Sequence, residues 1–470
     1  MKRHAFAFIF FAALFATAMI PAAVAQESGD PSAEIDLDAL FSDDMVSVAP
    51  SDASGIDPVK AALVSESVRI GGSFSGSAGI SGTWNDPWNG GFSFSDADSH
   101  SVYAKPAATL FFDARPAEDF RAYGSAKLAW PFSTTTTTDN IAVPNIKIFE
   151  LFTDFSAGDK VFFRFGKSTV KWGVGYFWSP ADVINVESIS VLSPDSQREG
   201  PVSFRVHVPV LGTQTNFYMY TIIDEVDPDF ATTALAAKAE FLVGSFEIGL
   251  GAWYRYDTAE KAMATLSGSI GQVSLFGELA ASRGSAKTFV TSITAGLPPV
   301  VNYSSTAANR NDYFVSGTAG FMWTDSDLNL TAVGQYYYNG EGYADADREA
   351  RIAEAKDVQA ALVAASGSSA AFDPMLKGLI YGSGRHYAAF SLSKNELFVE
   401  DLSASVFVIA NLSDGSGFVK PTLTWKPVDR ISLSAGPTFA FGSGDSEYVI
   451  LNDGPAMTLS LSASIGSGSF

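Results

Sequence analysis

Ser203, Arg205 and His207 fall on alternate residues of one stretch, which raises the prospect of a nucleophile and a base on a single strand. A serine and a histidine four residues apart on a strand stand about 13 Å apart, too far for the hydrogen bond that would activate the hydroxyl. No Gly-x-Ser-x-Gly elbow is present. Gly166-Lys167-Ser168 looks like the end of a phosphate-cradling loop, but Val161 stands where that loop needs its first glycine. The remaining histidines beyond the first 25 residues, His100 and His386, have no carboxylates at metal-ligand spacing. With Cys 0, thiol catalysis and disulfides are excluded. The expectation is therefore a chain that is not an enzyme and carries no cofactor and no metal.

A second kind of chemistry, the steering of charge, has better candidates. Arg69, Lys105, Arg121, Lys127, Arg164 and Arg205 all fall on the polar phase of alternating stretches in the first part of the chain. Later polar-phase positions mix signs, with Lys238, Glu240, Glu247, Arg255, Glu278 and Lys420. A basic wall can set ion selectivity in a pore, or it can simply pair with acidic loops. Lys167 and Lys171 fall on the apolar phase unless a bulge shifts their strand. The formal net charge of -21 argues against nucleic acid, whose phosphates call for a basic surface.

Strands must position these residues. From Val68, the residues Val68, Ile70, Phe74, Ala78, Ile80 and Trp84 alternate with Arg69, Ser73, Ser75, Ser77, Ser81 and Thr83. A period of two sustained this long is a half-buried strand. The pattern recurs from residue 102, from 120 and onward, predicting strands near 145–157, 161–171, 201–210, 215–223, 234–243, 245–256, 261–270, 272–282, 312–323, 328–338, 385–393, 397–411, 417–426, 430–441 and 456–470. Most are near the ten or so residues that a tilted membrane strand requires. Beyond residue 25 no apolar run is long enough for a membrane helix, which needs about 20 residues.

The connections sort by length. Those near 115–119, 158–160, 211–214, 244, 271, 324–327, 394–396 and 427–429 are short, and the intervening ones, such as 172–200, 283–311 and 339–384, are mostly long. Outer-membrane barrels alternate short periplasmic turns with long external loops in this way. Within 339–384, Ala344 to Ala365 is helix-forming and can either fold inward or stand as a lid. Trp84, Trp130, Tyr254, Tyr256, Tyr336 and Tyr338 fall on the apolar phase at outer ends, and Phe321, Trp323 and Trp425 at the other, as two girdles would. The cluster Trp172, Tyr176, Phe177 and Trp178 after the strand from Val161 reads as aromatics at the headgroup level, where that strand leaves the outer leaflet.

The N-terminus sets the compartment. Lys2 and Arg3, the apolar run Ala5 to Ile20 and the small-x-small Ala23-Val24-Ala25 form a cleaved signal peptide, residues 1–25, cut after Ala25. Residues 26–66 carry Glu27, Asp30, Glu34, Asp36, Asp38, Asp43, Asp44, Asp52, Asp57 and Glu66 against Lys60 alone. They read as an acidic periplasmic tail, or as a plug for the barrel that occupies 67–470.

The final strand alternates Met457, Leu459, Leu461, Ala463 and Ile465 with Thr458, Ser460, Ser462 and Ser464 and ends on Phe470. It resembles the insertion signal of Gram-negative outer-membrane barrel proteins. The segment from Phe163 to Asn185, with Gly166-Lys167, Trp172-Gly173 and Asp182-Val183-Ile184-Asn185, resembles a strand-and-loop pattern of porin-like families. That resemblance implies an outer-membrane location, contact with lipid and a lipopolysaccharide-type leaflet, and assembly by the barrel insertion machinery through the strand ending in Phe470. It leaves open a homo-oligomer.

The fold class expected is all-β, a transmembrane antiparallel up-and-down barrel of roughly 16 to 18 strands, a size that leaves a water-filled channel. The function expected is a porin-like channel for passive diffusion of small hydrophilic solutes or ions, with the six basic residues named above lining the lumen. The alternatives are a plugged surface barrel acting in ligand binding or adhesion, and a transporter of hydrophobic solutes, for which Tyr103, Phe111 and Tyr123 are the hints.

Overall fold

The computed structural model describes residues 68–470 apart from 86, 88–95, 136–141, 159, 195, 297–299, 370–371, 453 and 470. The expected signal peptide, the acidic segment 26–66 and Phe470 lie outside the described residues. The wall begins with β1 (Val68–Trp84), β2 (Ser99–Ala117), β3 (Phe120–Thr135), β4 (Ala142–Ala157), β5 (Val161–Lys167), β6 (Val202–Val210) and β7 (Thr215–Ile223). It continues with β8 (Ala234–Val243), β9 (Phe246–Arg255), β10 (Glu260–Ile270) and β11 (Val273–Arg283). A separate hairpin follows, β12 (Thr288–Gly296) and β13 (Val300–Ala307), and then β14 (Tyr313–Asp325) and β15 (Leu330–Tyr338). Two helices, α1 (Asp345–Ser366) and α2 (Asp373–Ile380), precede β16 (His386–Lys394), β17 (Leu402–Asn411), β18 (Ser416–Val428) and β19 (Ile431–Phe441). The short helix α3 (Glu447–Leu451) leads to β20 (Met457–Ser469).

All but β12 and β13 form one 18-stranded sheet. Each wall strand pairs antiparallel with its neighbour in sequence, β11 pairs directly with β14, and β1 pairs with β20 to close the ring. Closure leaves no edge strand with unpaired backbone groups. Apart from the bounds of β5 and β17, the wall-strand positions read from alternation hold, and the strand count agrees with the upper end of the expected range.

Alternation assigns the two faces. Ile70 is 65% exposed, Leu110 56%, Leu250 53% and Leu461 44%, and they share the outward phase with Ala and Val. An apolar outer wall over an alternating inner wall is the pattern of a barrel in lipid. The inner phase can be followed across strands by register, from Ser464 opposite Ser77 to Ser77 opposite Lys105. Across β19, β20 and β1 it is built mainly from serine and threonine. Their hydroxyls pair across strands, as in Ser432 with Ser464 at 2.6 Å and Thr83 with Thr458 at 3.0 Å.

Several expectations are corrected. β5 ends at Lys167 rather than near 171, because Gly166 has φ +131 and a Cβ there would meet the Leu151 carbonyl. β17 begins at Leu402 rather than 397, since Glu396 (φ 54) and Phe398 (φ 68) adopt left-handed backbone that cannot continue a strand. Trp84 is 6% exposed and sits opposite the equally buried Met457, so it is not part of a lipid-facing girdle. Trp130 at 57%, Tyr256 at 66% and Trp425 at 49% do face outward. The helix foreseen at Ala344–Ala365 is α1, while the β12–β13 hairpin and α3 were not legible from periodicity.

Candidate functional site

The aromatics after β5 are not at a membrane surface. Trp172 and Phe177 are each 1% exposed, Tyr176 is 7% and Ala181 0%. Past the Gly166 kink the chain leaves the wall, and residues 168–200 fold into the barrel and pack on its inner face. The expectation of an external loop fails for a physical reason. The inner wall supplies buried acceptors for the loop's backbone donors, which an irregular segment packed away from water requires.

Glu278, on the inner face of β11, is the first of these acceptors. It takes the backbone N–H of Val174, of Gly175 at 2.6 Å and of Ala181 at 2.8 Å, and the Ser179 hydroxyl at 2.8 Å. Gln335 on β15 is the second. Its Oε1 accepts Tyr176 N–H at 3.1 Å and Phe177 N–H at 2.6 Å, and its Nε2 donates to the Trp178 carbonyl at 2.6 Å and to Thr318 Oγ1 at 2.6 Å. The glycines of the Trp-Gly-x-Gly run make this approach feasible: a Cβ on Gly175 would run into the Trp178 carbonyl oxygen.

The neck of the loop is closed by Asn185, which copies a backbone pair. Its Oδ1 accepts Val170 N–H at 2.9 Å and its Nδ2 donates to the Val170 carbonyl at 2.6 Å. Asp182 holds Asn185 Nδ2 at 2.9 Å and Arg198 at 2.5 Å. The Asp-x-Ile-Asn of the sequence motif is thus the clasp of the inward loop.

Around these polar pins lie two apolar packings. Val170, Trp172, Val183 and Ile184 meet Tyr220, Trp253 and Met263 of the wall. Lys238 Nζ caps the Trp172 carbonyl at 2.9 Å and pairs with Glu240 at 2.7 Å. Tyr176 and Phe177 meet Met322, Val333, Ile409, Phe418 and Tyr448. At the far end, Lys147 pairs with Glu187 and Glu199, and Lys167 pairs with Glu199 and with Glu225 at 2.7 Å. Lys167 follows the positive-φ Gly166 at the end of β5 and reaches these carboxylates.

The described contacts of the loop run from β4 round to β18, so the inner faces of β19, β20 and β1 to β3 border the remaining lumen. Of the basic candidates, Arg121, Arg164 and Arg205 lie in one cross-strand row. Arg121 bonds Asp113 at 3.0 Å, Arg164 bonds Asp154 at 2.7 Å, and Arg205 stands opposite Arg164 in the β5–β6 register. Among the described residues Arg205 has no ion-pair partner within 4.0 Å, and its Nε is buried without a hydrogen bond. Lys127 lies opposite Lys147, Lys105 lies over the Tyr103 ring at 5.6 Å, and Arg69 lies opposite Asp113. Two of these arginines are paired with aspartates that the sequence did not single out, Asp113 being shared between Arg121 and Arg115. Phe111, Tyr123 and Phe152 form an aromatic row beside them, with ring centroids 6.4 and 5.4 Å apart and the Arg164 guanidinium 3.8 Å from the Phe152 centroid. Ser203 and His207 are not brought together, and His207 instead stacks on Tyr218 at 4.5 Å.

A cap stands at the end with the long connections. Ile352, Ala355 and Val358 of α1 pack with Phe372, which precedes α2, with Leu376 and Ile380 of α2 and with Ile293 of β12. Glu447 of α3, 1% exposed, accepts Gly382 N–H at 2.9 Å, Tyr387 OH at 2.8 Å and Asn411 Nδ2 at 2.6 Å. Burial pushes its carboxyl above the usual range despite those donors. Burial likewise lowers Lys287, which lies over the Phe289 and Tyr343 rings. Arg348 of α1 bonds Asp414 at 2.6 Å, and Asp414 accepts Glu447 N–H at 2.8 Å. From α3, the rings Tyr448, Phe418, Phe407 and Phe177 follow one another at 5.7, 5.8 and 5.5 Å, joining cap to loop.

No family model matches the chain, and no curated protein does. Solved structures do resemble it. OccK8 (OprE) of Pseudomonas aeruginosa superposes with a TM-score of 0.45 at 10% identity, covering 85% of this chain and 98% of that one. The outer membrane protein opdK of the same organism gives a TM-score of 0.44 at 10% identity, over 86% and 99%. A mutant of the Rh. blastica porin gives 0.40 at 8%, over 86% and 100%. Likenesses this loose bring no function to the chain, whose barrel stands on its own strand pairing. Sequence reasoning placed Glu278 on the lumen face without a role and passed over Gln335. The available signal for Gln335 was a long polar side chain on the inner phase of a strand, just before a run of three tyrosines.

Proposed function

We propose that the chain forms an outer-membrane pore for passive diffusion of small hydrophilic solutes or ions, narrowed by the loop 168–200. The carrying observation is that loop, pinned by Glu278 and Gln335 inside a closed 18-stranded barrel with an apolar outer wall. A barrel of this size has room for water beside an inward loop. Arg69, Lys105, Arg121, Lys127, Arg164 and Arg205 line the lumen in this reading, with Arg205 the strongest anion attractor because Asp113 and Asp154 offset its neighbours. The chain is exported with cleavage after Ala25, inserted by the barrel assembly machinery through its last strand and seated in a lipopolysaccharide-type leaflet, where it is compatible with a homo-oligomer. Solute passage is the whole of the activity; no catalysis is assigned.

The test is single-channel conductance of the refolded protein in a planar bilayer under a salt gradient. Stable open steps are expected, with a reversal potential on the anion side. A folded, heat-modifiable barrel that never opens overturns the pore.

A further inference from the structure

We propose that the cavity between the inward loop and β15 is a subsite for a neutral six-membered sugar ring. This rests on the pore reading and names the class of solute the loop recognises. The cavity, about 160 Å³, is lined by Trp178, Tyr337, Ser179, Asp182, Ser188 and Ile189 among others. That is room for about five waters at roughly 30 Å³ each, the scale of one pyranose.

The lining matches a sugar better than an ion. Trp178 and Tyr337 both line the cavity, near-parallel at 18° with ring centroids 5.7 Å apart, and the ring surface they turn to it is an aromatic platform of the sort that meets the C–H face of a sugar ring. Hydroxyl and carboxylate oxygens stand beside it for the ring's hydroxyls. Asp182 is already neutralised by Arg198 at 2.5 Å, so the cavity offers a hydrogen-bond acceptor without a net charge to capture a cation. The Ser179 hydroxyl donates to Glu278 at 2.8 Å, which leaves its oxygen as an acceptor. The platform is fixed before any solute arrives. Gln335 holds Trp178 by its carbonyl at 2.6 Å, and Tyr387 stands 6.2 Å from the indole on another wall strand. Such preorganisation lowers the ordering cost of binding.

The experiment is maltotriose added to one side of a bilayer holding the full-length protein, with the current read for blocks. Concentration-dependent blocks are expected, and Trp178→Ala should raise the half-blocking concentration by about tenfold. Ser188→Leu, which fills the exposed edge of the cavity, should also raise it and serves where the tryptophan variant does not refold. Trp130→Ala, on the lipid face, should leave the blocks as they are. Open channels that maltotriose does not block, or that benzoate blocks more strongly, leave the pore standing and overturn the sugar subsite. If no channel opens, the pore reading fails and tryptophan fluorescence of the refolded barrel decides the subsite. A saturable change with maltotriose that is lost in the Ser188→Leu variant upholds it, and unchanged emission overturns it.

Discussion

Glu278 accepts the backbone N–H of Ala181 at 2.8 Å, binding a wall strand to a loop residue 97 positions earlier in the chain. The same carboxylate gathers Val174, Gly175 and Ser179, so one side chain sets the path of a whole turn inside the barrel. Glu278→Ala strips these donors of their acceptor at a cost of about 3–5 kcal/mol. The loop should then move away from the wall, seen as a changed conductance and a noisier open current. Conductance and noise equal to the parent protein would show that Glu278 does not hold the loop.

Gln335→Leu keeps the bulk and removes the amide. Orphaning the Tyr176 and Phe177 N–H groups costs about 1–3 kcal/mol each. Faster hydrogen exchange is expected at residues 174–181, with exchange in the β10–β11 ladder unaltered. Uniform acceleration across the barrel would instead assign Gln335 to global stability.

Gly166→Ala tests the kink. With φ +131 and the Leu151 carbonyl in the way, a Cβ forces β4 and β5 apart. Lys167 then loses its aim at Glu199 and Glu225. The refolding yield, read by heat-modifiable electrophoretic mobility, should fall by at least about tenfold, corresponding to more than about 1.4 kcal/mol. A full yield would mean that the wall tolerates the side chain.

The arginine row separates two readings of the basic wall. Arg205→Ala should move the reversal potential toward cations further than Arg121→Ala, whose charge Asp113 already offsets. Equal shifts would show that the aspartates do not screen their partners.

Glu447 makes the cap sensitive to pH. Burial raises its carboxyl above the ordinary value, so its contribution to docking of α3 is complete below the usual carboxylate range and is lost as pH rises through the folded value. The groups facing it are Tyr387, Asn411, the Gly382 backbone and, beyond them, the Arg348–Asp414 pair. Protease cleavage within 443–456 should be slower at acid than at neutral pH, and Glu447→Gln should flatten that difference. An unchanged pH profile in the variant removes Glu447 as the cause.

Alternation determined the barrel from the sequence alone, because each wall strand buries one face in lipid and the period of two is written directly into Ile70, Phe74, Ile80 and their successors. The same periodicity placed the basic residues on the inner phase, and Arg164 pairs in register with Asp154 and Arg205. Only the tertiary structure decided where Trp172 to Trp178 go. Rings at a strand end suit a membrane interface and a packed interior equally, and what drew them inward, Glu278 and Gln335, lies about a hundred or more residues away. The Asn185 clasp and the α3 cap are likewise irregular, whereas the paired aspartates lie only 8 and 10 residues from their arginines on neighbouring strands. Local patterning carries strands; contacts between distant irregular segments exist only once the ring of strands has closed.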